Sequence, residues 1–189
     1  MRIPVSQLPA FNAEVAVTPQ NEDTTIFRNW VGERNGKVKV YRSSQPNYSG
    51  KDTAPVFSRG IMRWLTSANL NIKLVISLNE FKLGGGGFAK FQLEKIKYLH
   101  VPVEDFGVCE LKHLKEACEL MDQALKAKNS VLVFCGYGQG RTGMMVTAHE
   151  IYDNIKNQKK KSLQTFLDAS TAEEEVQEKL LIDLQKSLI

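Results

Sequence analysis

A four-residue apolar run, Val131-Leu132-Val133-Phe134, passes without a break into Cys135-Gly136-Tyr137-Gly138-Gln139-Gly140-Arg141-Thr142, and from Met144 to Ile155 the apolar residues recur with helical period. A buried strand that turns through a glycine-rich loop into a helix is suited to binding anions. The first turn of a helix has N–H groups without partners, and the macrodipole adds about half a positive charge there. Glycines 136, 138 and 140 let successive N–H groups converge on a tetrahedral oxyanion. Arg141 adds a planar fork that takes two oxygens at once. Two other phosphate loops fit less well. Gly138 to Gly143 has G-x-G-x-x-G spacing, but a dinucleotide site wants a further strand and an acidic residue about 20 positions on. Here that stretch carries Lys159-Lys160-Lys161 and helical pattern. A Walker loop lacks both its glycine spacing and its Lys-Ser/Thr pair.

A thiol in this cradle feels the same positive field, which favours the thiolate, the nucleophilic form of Cys135. A lone cysteine after a strand is commonly an inert core residue. The glycines and Arg141 shift the reading to a nucleophile set for in-line attack on phosphorus, giving a phosphocysteine that water then hydrolyses. The leaving group needs a proton. Asp105, in the loop after a predicted strand, is the candidate general acid, and in the second step the same carboxylate can activate water. Its plainer reading is a cap on the following helix, with Glu104 as the fallback acid. Thr142 is placed for its hydroxyl to reach the thiolate. The expected phosphate-binding set is Gly136, Tyr137, Gly138, Gln139, Gly140 and Arg141, with Cys135, Arg141, Asp105 and Thr142 carrying the chemistry.

A chain of 189 residues corresponds to one domain with room for a full core. Residues 1–24 carry Pro4, Pro9 and Pro19 among polar residues and read as an irregular arm, leaving 25–189 as the domain. Ile26 to Val31 and Val38 to Arg42 are β-prone, and Asn35-Gly36 between them suits a tight turn, so an opening hairpin is expected. Ser58 to Leu70 reads as a helix feeding a buried strand over Lys73 to Asn79. Glycines 84 to 87 mark a flexible loop before a short helix over Phe88 to Ile96, and Tyr98 to Glu104 reads as the next strand. Leu111, Leu114, Cys118, Met121 and Leu125 define an amphipathic helix from Glu110 to Lys128. After the basic run come two more helical patterns. The last opens with a capping box of Thr171 and Glu174 and carries a stripe of Val176, Leu180, Leu181, Leu184 and Leu188. Strands alternating with helices predict an α/β fold: a mainly parallel central sheet, helices on both faces and an antiparallel hairpin at one edge.

Composition narrows the function classes. With 42% hydrophobic and 24% charged residues the chain belongs with ordinary globular domains rather than disordered or fibrous ones. A net charge of +4 from 25 basic and 21 acidic residues is too small for a nucleic-acid footprint. No uncharged apolar stretch approaches a membrane span. Cys109, Cys118 and Cys135 cannot all pair, and the start MRIPVSQLPAFN lacks a signal-peptide pattern, so a reducing, cytoplasmic setting is expected. Delivery into another cell would then use a route without a cleaved signal. Cys109 and His113 lie one helical turn apart, but two ligands do not make a metal site. Lys159 to Lys161 reads as a solvated face.

Cys135 to Thr142 matches the Cys-x5-Arg-Ser/Thr signature of the protein tyrosine phosphatase superfamily, and the chain around it resembles the compact dual-specificity branch. Ile26-Phe27-Arg28-Asn29-Trp30 followed by Val40-Tyr41-Arg42-Ser43-Ser44-Gln45-Pro46 resembles that branch's opening strands. Leu74-Val75-Ile76-Ser77-Leu78 is similar to its next strand, and His100-Val101-Pro102-Val103-Glu104-Asp105 to its general-acid loop. The resemblance covers roughly residues 26 to 156. It implies the dual-specificity phosphatase fold, Cys135 as nucleophile, Arg141 as phosphate ligand, Asp105 as general acid, and no metal or organic cofactor. Two positions depart from the pattern: Phe134 stands where the family usually has His, and Tyr137 where a small residue is usual. Relatives acting on phosphoinositides often carry lysines in the loop, whereas Gly136 and Gln139 offer no charge. The expected activity is hydrolysis of phosphotyrosine, phosphoserine and phosphothreonine in proteins. An inositol phosphate or phosphoinositide phosphatase and a non-catalytic phosphate-binding module are the alternatives.

Overall fold

The computed structural model describes residues 27–35, 38–84 and 86–189; the arm expected over 1–24, Ile26, and Gly36 of the expected turn lie outside them. Its centre is β5 (Ser130–Cys135), whose side chains alternate between two cores. Val131, Val133 and Cys135 face one, and Leu132 and Phe134 the other. β5 lies between β2 (Val38–Ser44) and β3 (Ile72–Ser77), parallel to both; β4 (Lys97–His100) continues the sheet beyond β3, and β1 (Val31–Asn35) closes the opposite edge antiparallel to β2. The mainly parallel α/β sheet with an antiparallel edge hairpin is therefore present. A register irregularity between Ile72 and Leu74 reverses the side-chain alternation of β3, so that Ile72 and Val75 share one core while Leu74 and Ile76 share the other.

Helices cover both faces. On one lie α1 (Arg59–Leu65) and α2 (Gly87–Leu93), against an aromatic core of Phe27, Tyr41, Phe57, Phe91 and Phe134. Phe57 sits 5.1 Å from Phe91 and 5.8 Å from Phe134 between ring centroids. On the other lie α3 (Leu111–Lys126), α4 (Gly140–Lys156), α5 (Leu163–Ala169) and α6 (Glu175–Lys186), against an aliphatic core that includes Leu114, Cys118, Met121, Leu181 and Leu184. Cys118 is core, as expected, and burial pushes its thiol well above the ordinary range. Cys109 lies just ahead of α3, its thiol raised by burial to about 11. No helix among the described residues is long and apolar enough to cross a membrane.

Several local expectations are corrected. The first strand runs over 31–35 rather than 26–31, because Phe27 and Trp30 pack into the aromatic core, 5.6 Å apart, while Arg28 and Ser44 exchange hydrogen bonds. α4 begins at Gly140, four residues before the apolar period; its first turn is fixed by backbone geometry at the loop. The strand expected over Tyr98 to Glu104 ends at His100, leaving Val101 to Asp105 as a loop. The capping box of Thr171 and Glu174 does not form: Thr171 Oγ1 accepts instead from Arg42 Nη2 at 2.6 Å, and Glu174 caps α6 through its backbone conformation alone. Of the α6 stripe, Leu181 and Leu184 are buried, whereas Val176 is 51% exposed and Gln177 takes the buried place.

His149 of α4 is 7% exposed, and its Nε2 has no hydrogen-bond partner among the described residues. Burial lowers its pKa below 6.5, against the opposing pull of Asp153 and Asp122 and with a smaller push from Lys159. The unfolded chain therefore takes up this proton first as the pH falls through about 6.5, so stability declines from pH 7 toward pH 5. Urea unfolding across that range is expected to show a shallower decline in His149→Gln; an identical slope in both proteins refutes the assignment.

Candidate active site

The sheet's carboxyl edge gathers the site. β5 ends at Cys135, and the chain turns at once through Gly136–Gln139 into α4. Gln45, following β2, fastens this turn: its N–H donates to the carbonyls of Cys135 at 2.7 Å and Gly136 at 2.9 Å. Gly138 has φ of +92°, and a Cβ there would overlap the Ser43–Ser44 backbone, so only glycine lets the loop lie this close to β2. From that position its N–H reaches Cys135 Sγ at 3.2 Å. Asn29 Nδ2 holds the Tyr137 carbonyl from outside at 2.9 Å.

Arg141, in the first turn of α4, is 3% exposed. Its Nη1 and Nη2 donate to the Asp52 carboxylate at 2.8 and 3.0 Å, Nη1 also to the Val103 carbonyl at 2.9 Å, and Nη2 lies 2.8 Å from Asp105 Oδ1. Burial works against its charge, but Asp52, the Cys135 sulfur and Asp105 outweigh it, so its pKa stands above the usual value. Asp105 is 56% exposed at the side chain and sits in the turn Glu104–Gly107, its N–H donating to Glu80 Oε1 at 3.1 Å. Glu80 in turn donates its own N–H to Asp52 Oδ2 at 3.1 Å.

The structure thus brings Cys135, Arg141, Asp105 and the loop glycines together. It does not bring Thr142 Oγ1 to the sulfur: that hydroxyl is buried and has no hydrogen-bond partner among the described residues, and the Gly138 N–H holds the position instead. Asp105 does not cap a helix, since α3 opens at Glu110. Arg42 is buried behind the loop, its Nη2 on Thr171 Oγ1 and 3.4 Å from Gln139 Oε1, a structural place rather than a substrate-facing one. Phe134 turns away from Cys135 into the aromatic core. Tyr137 is 43% exposed at the mouth, 5.7 Å from Tyr48, whose phenol is raised by burial and by the charges of Asp105 and Asp52. Among the described residues no group of three or more His, Cys, Asp or Glu forms a metal site.

Two functional positions escaped sequence reasoning. Asp52 lies in a turn-rich stretch after β2, and the only signal for it is that parallel-sheet sites collect loops at strand carboxyl ends. Gln45 fastens it there through Thr53, which donates its N–H to Gln45 Oε1 at 3.2 Å and accepts from Nε2 at 2.8 Å. Glu173 was hidden inside a helix-start pattern; it lies against Gly140, where a Cβ would collide with its carboxylate.

A cysteine in a glycine loop, a buried arginine in the first turn of the helix that follows and an acid loop after β4, one strand removed from β5, have the arrangement of a phosphate-handling site on a dual-specificity phosphatase fold. Residues 61–154 match the family model described as "Tc-R-P: Polymorphic toxin system, DSP-PTPase phosphatase". The chain belongs to the protein tyrosine phosphatase superfamily, in its dual-specificity-like branch, and is a phosphatase by family and fold. It is similar in fold to Tk-PTP in its active form, with 18% identity over 82% of this chain and 96% of that one and a TM-score of 0.60. PTPMT1, solved in complex with PI(5)P, gives 16% identity over 83% and 96% with a TM-score of 0.61. Kinase associated phosphatase gives 16% identity over 79% and 87% with a TM-score of 0.58. No curated protein sequence matches the chain.

Gly138→Ala is expected to push the loop off β2. Titration with vanadate, a tetrahedral oxyanion, should show binding lost or weakened at least tenfold, together with a lowered Tm. Unchanged affinity and Tm would show that the close approach is not required.

Proposed function

We propose that the protein hydrolyses phosphate monoesters of tyrosine, serine and threonine side chains in proteins through a phosphocysteine intermediate. The observation that carries this reading is the placement of Cys135 Sγ under the Gly138 N–H, at 3.2 Å, in the loop that also presents Arg141. A phosphate entering the loop meets its N–H groups and the Arg141 guanidinium, displacing Asp105 from Nη2 while Asp52 keeps the arginine oriented. Freed from Arg141, Asp105 takes a proton from solvent and is left at the exposed side of the phosphate, where the leaving oxygen emerges. Cys135 Sγ attacks phosphorus, the P–O bond to the side chain breaks, and Asp105 supplies the proton to the departing oxygen. Water then cleaves the S–P bond, and the thiolate and inorganic phosphate are released.

Two features favour a protein substrate over an inositol phosphate. The carboxylates of Asp52, Glu80, Asp105 and Glu173 gather about the loop, so once one phosphate has engaged Arg141 a second finds mainly negative charge. The mouth also carries exposed aromatic surface, Tyr137 beside Tyr48 and Phe106 next to Asp105, suited to a peptide or aryl group. Cys135→Ser is expected to abolish release of phosphate from phosphotyrosyl peptides while still binding them, because the N–H cradle and Arg141 remain. Retained turnover in that variant would remove Cys135 as the nucleophile, and faster release from phosphoinositides than from any phosphopeptide would transfer the substrate class.

The description of the matching family supports a setting in which the phosphoproteins attacked belong to another cell. Expression inside a bacterial host should then slow growth, with relief by Cys135→Ser; equal growth of the two strains speaks against that setting.

A further inference from the structure

The segment between α5 and α6 is built into the site rather than draped over it. Arg42, from the strand beneath the loop, donates to Thr171 Oγ1 at 2.6 Å, and Gly143 leaves the space that Thr171 fills against α4. Two residues on, the Glu173 carboxylate lies against Gly140 in the first turn of α4, within reach of its N–H. The Glu173 N–H donates to Gln177 Oε1 at 3.0 Å, and Gln177, fully buried, donates from Nε2 to the Gly107 carbonyl at 3.1 Å. Gly107 closes the turn that carries Asp105. One buried glutamine thus ties both carboxylate-bearing segments together, and Asp105 and Glu173 approach the loop on separate arms, near enough that Glu173 senses the charges of Asp105 and Arg141.

We propose that Glu173 is the general base of the second half-reaction, taking the proton from the water that hydrolyses phosphocysteine, while Asp105 serves the first. This rests on the phosphatase reading given above and replaces the expectation of one carboxylate for both steps. In this step the water oxygen bonds to phosphorus and the S–P bond breaks. Its electron pair returns to Cys135 Sγ, one water proton passes to a Glu173 oxygen, and inorganic phosphate leaves. Glu173 then yields the proton to solvent. Burial holds its carboxyl above the ordinary range, against the Gly140 N–H and with help from the charge of Asp105, which makes it a stronger base than a free carboxylate. A carboxylate that merely steadied the start of α4 would act on stability and on both steps alike.

Rapid-quench kinetics with p-nitrophenyl phosphate separate these roles. In Glu173→Gln the first-turnover burst of nitrophenol should keep its wild-type rate, while steady-state turnover falls by roughly 10²-fold or more and acid-trapped phosphocysteine accumulates. Glu173→Asp, which retracts the carboxylate without removing it, should recover part of the loss and provides a second variant if the first does not fold. Asp105→Asn should instead slow the burst with a poor aryl leaving group. Burst and steady state slowed equally in the Glu173 variants, or steady-state turnover unchanged, would overturn the proposal. A wild-type protein that forms no phosphocysteine at all refutes the phosphatase reading instead.

Discussion

A guanidinium 3% exposed must be met by negative charge, and in this fold that demand organises the loops at the sheet's carboxyl edge. Asp52 arrives from the segment after β2 and Asp105 from the segment after β4, and both end on Arg141. An unpaired cation at this depth would cost several kcal/mol in desolvation. The two carboxylates and the Val103 carbonyl offset that cost by fixing two loops against the start of α4. Under the proposed function, phosphate binding becomes an exchange of anions on an arginine already oriented.

Much of this was legible in the chain. The run from Val131 to Thr142 carried its meaning locally: burial, glycine spacing and a cation in the first turn of a helix are all properties of consecutive residues. The order of strands and helices followed for the same reason, and so did the parallel sheet. What could not be read was set by contacts across long separations. Asp52 is 89 positions from Arg141, and nothing in Lys51-Asp52-Thr53 distinguishes an ion-pair partner from an ordinary turn residue. Thr171 and Glu174 had the right types and spacing for a capping box, yet Arg42, 129 positions away, took the threonine hydroxyl. Local capping is worth about 1 kcal/mol, and a buried charge-assisted hydrogen bond outweighs it.

The Thr142 expectation fails more narrowly. Its hydroxyl is buried with no hydrogen-bond partner among the described residues, and the Gly138 N–H holds the Cys135 sulfur. Backbone geometry supplies that contact because Gly138 can adopt a left-handed conformation pressed against β2. The same preference for backbone over side chains runs through the loop: Gln45 fastens it by its N–H, and Asn29 grips a carbonyl. The side chains at 137 and 139 stay out of these contacts: Gln139 turns its Oε1 to Arg42 at 3.4 Å, and Tyr137 spends its bulk at the mouth.

Phe134 directly precedes Cys135 yet points into the aromatic core of Phe57 and Phe91, on the far side of the sheet. Where the family usually has a titratable ring at this place, the chain has one that cannot change charge. The footing of the loop therefore answers to the variables that govern apolar contact. Urea and temperature act on it directly through that core, whereas salt and pH act from the other side, through Arg141 with its carboxylates and through Glu173 against Gly140.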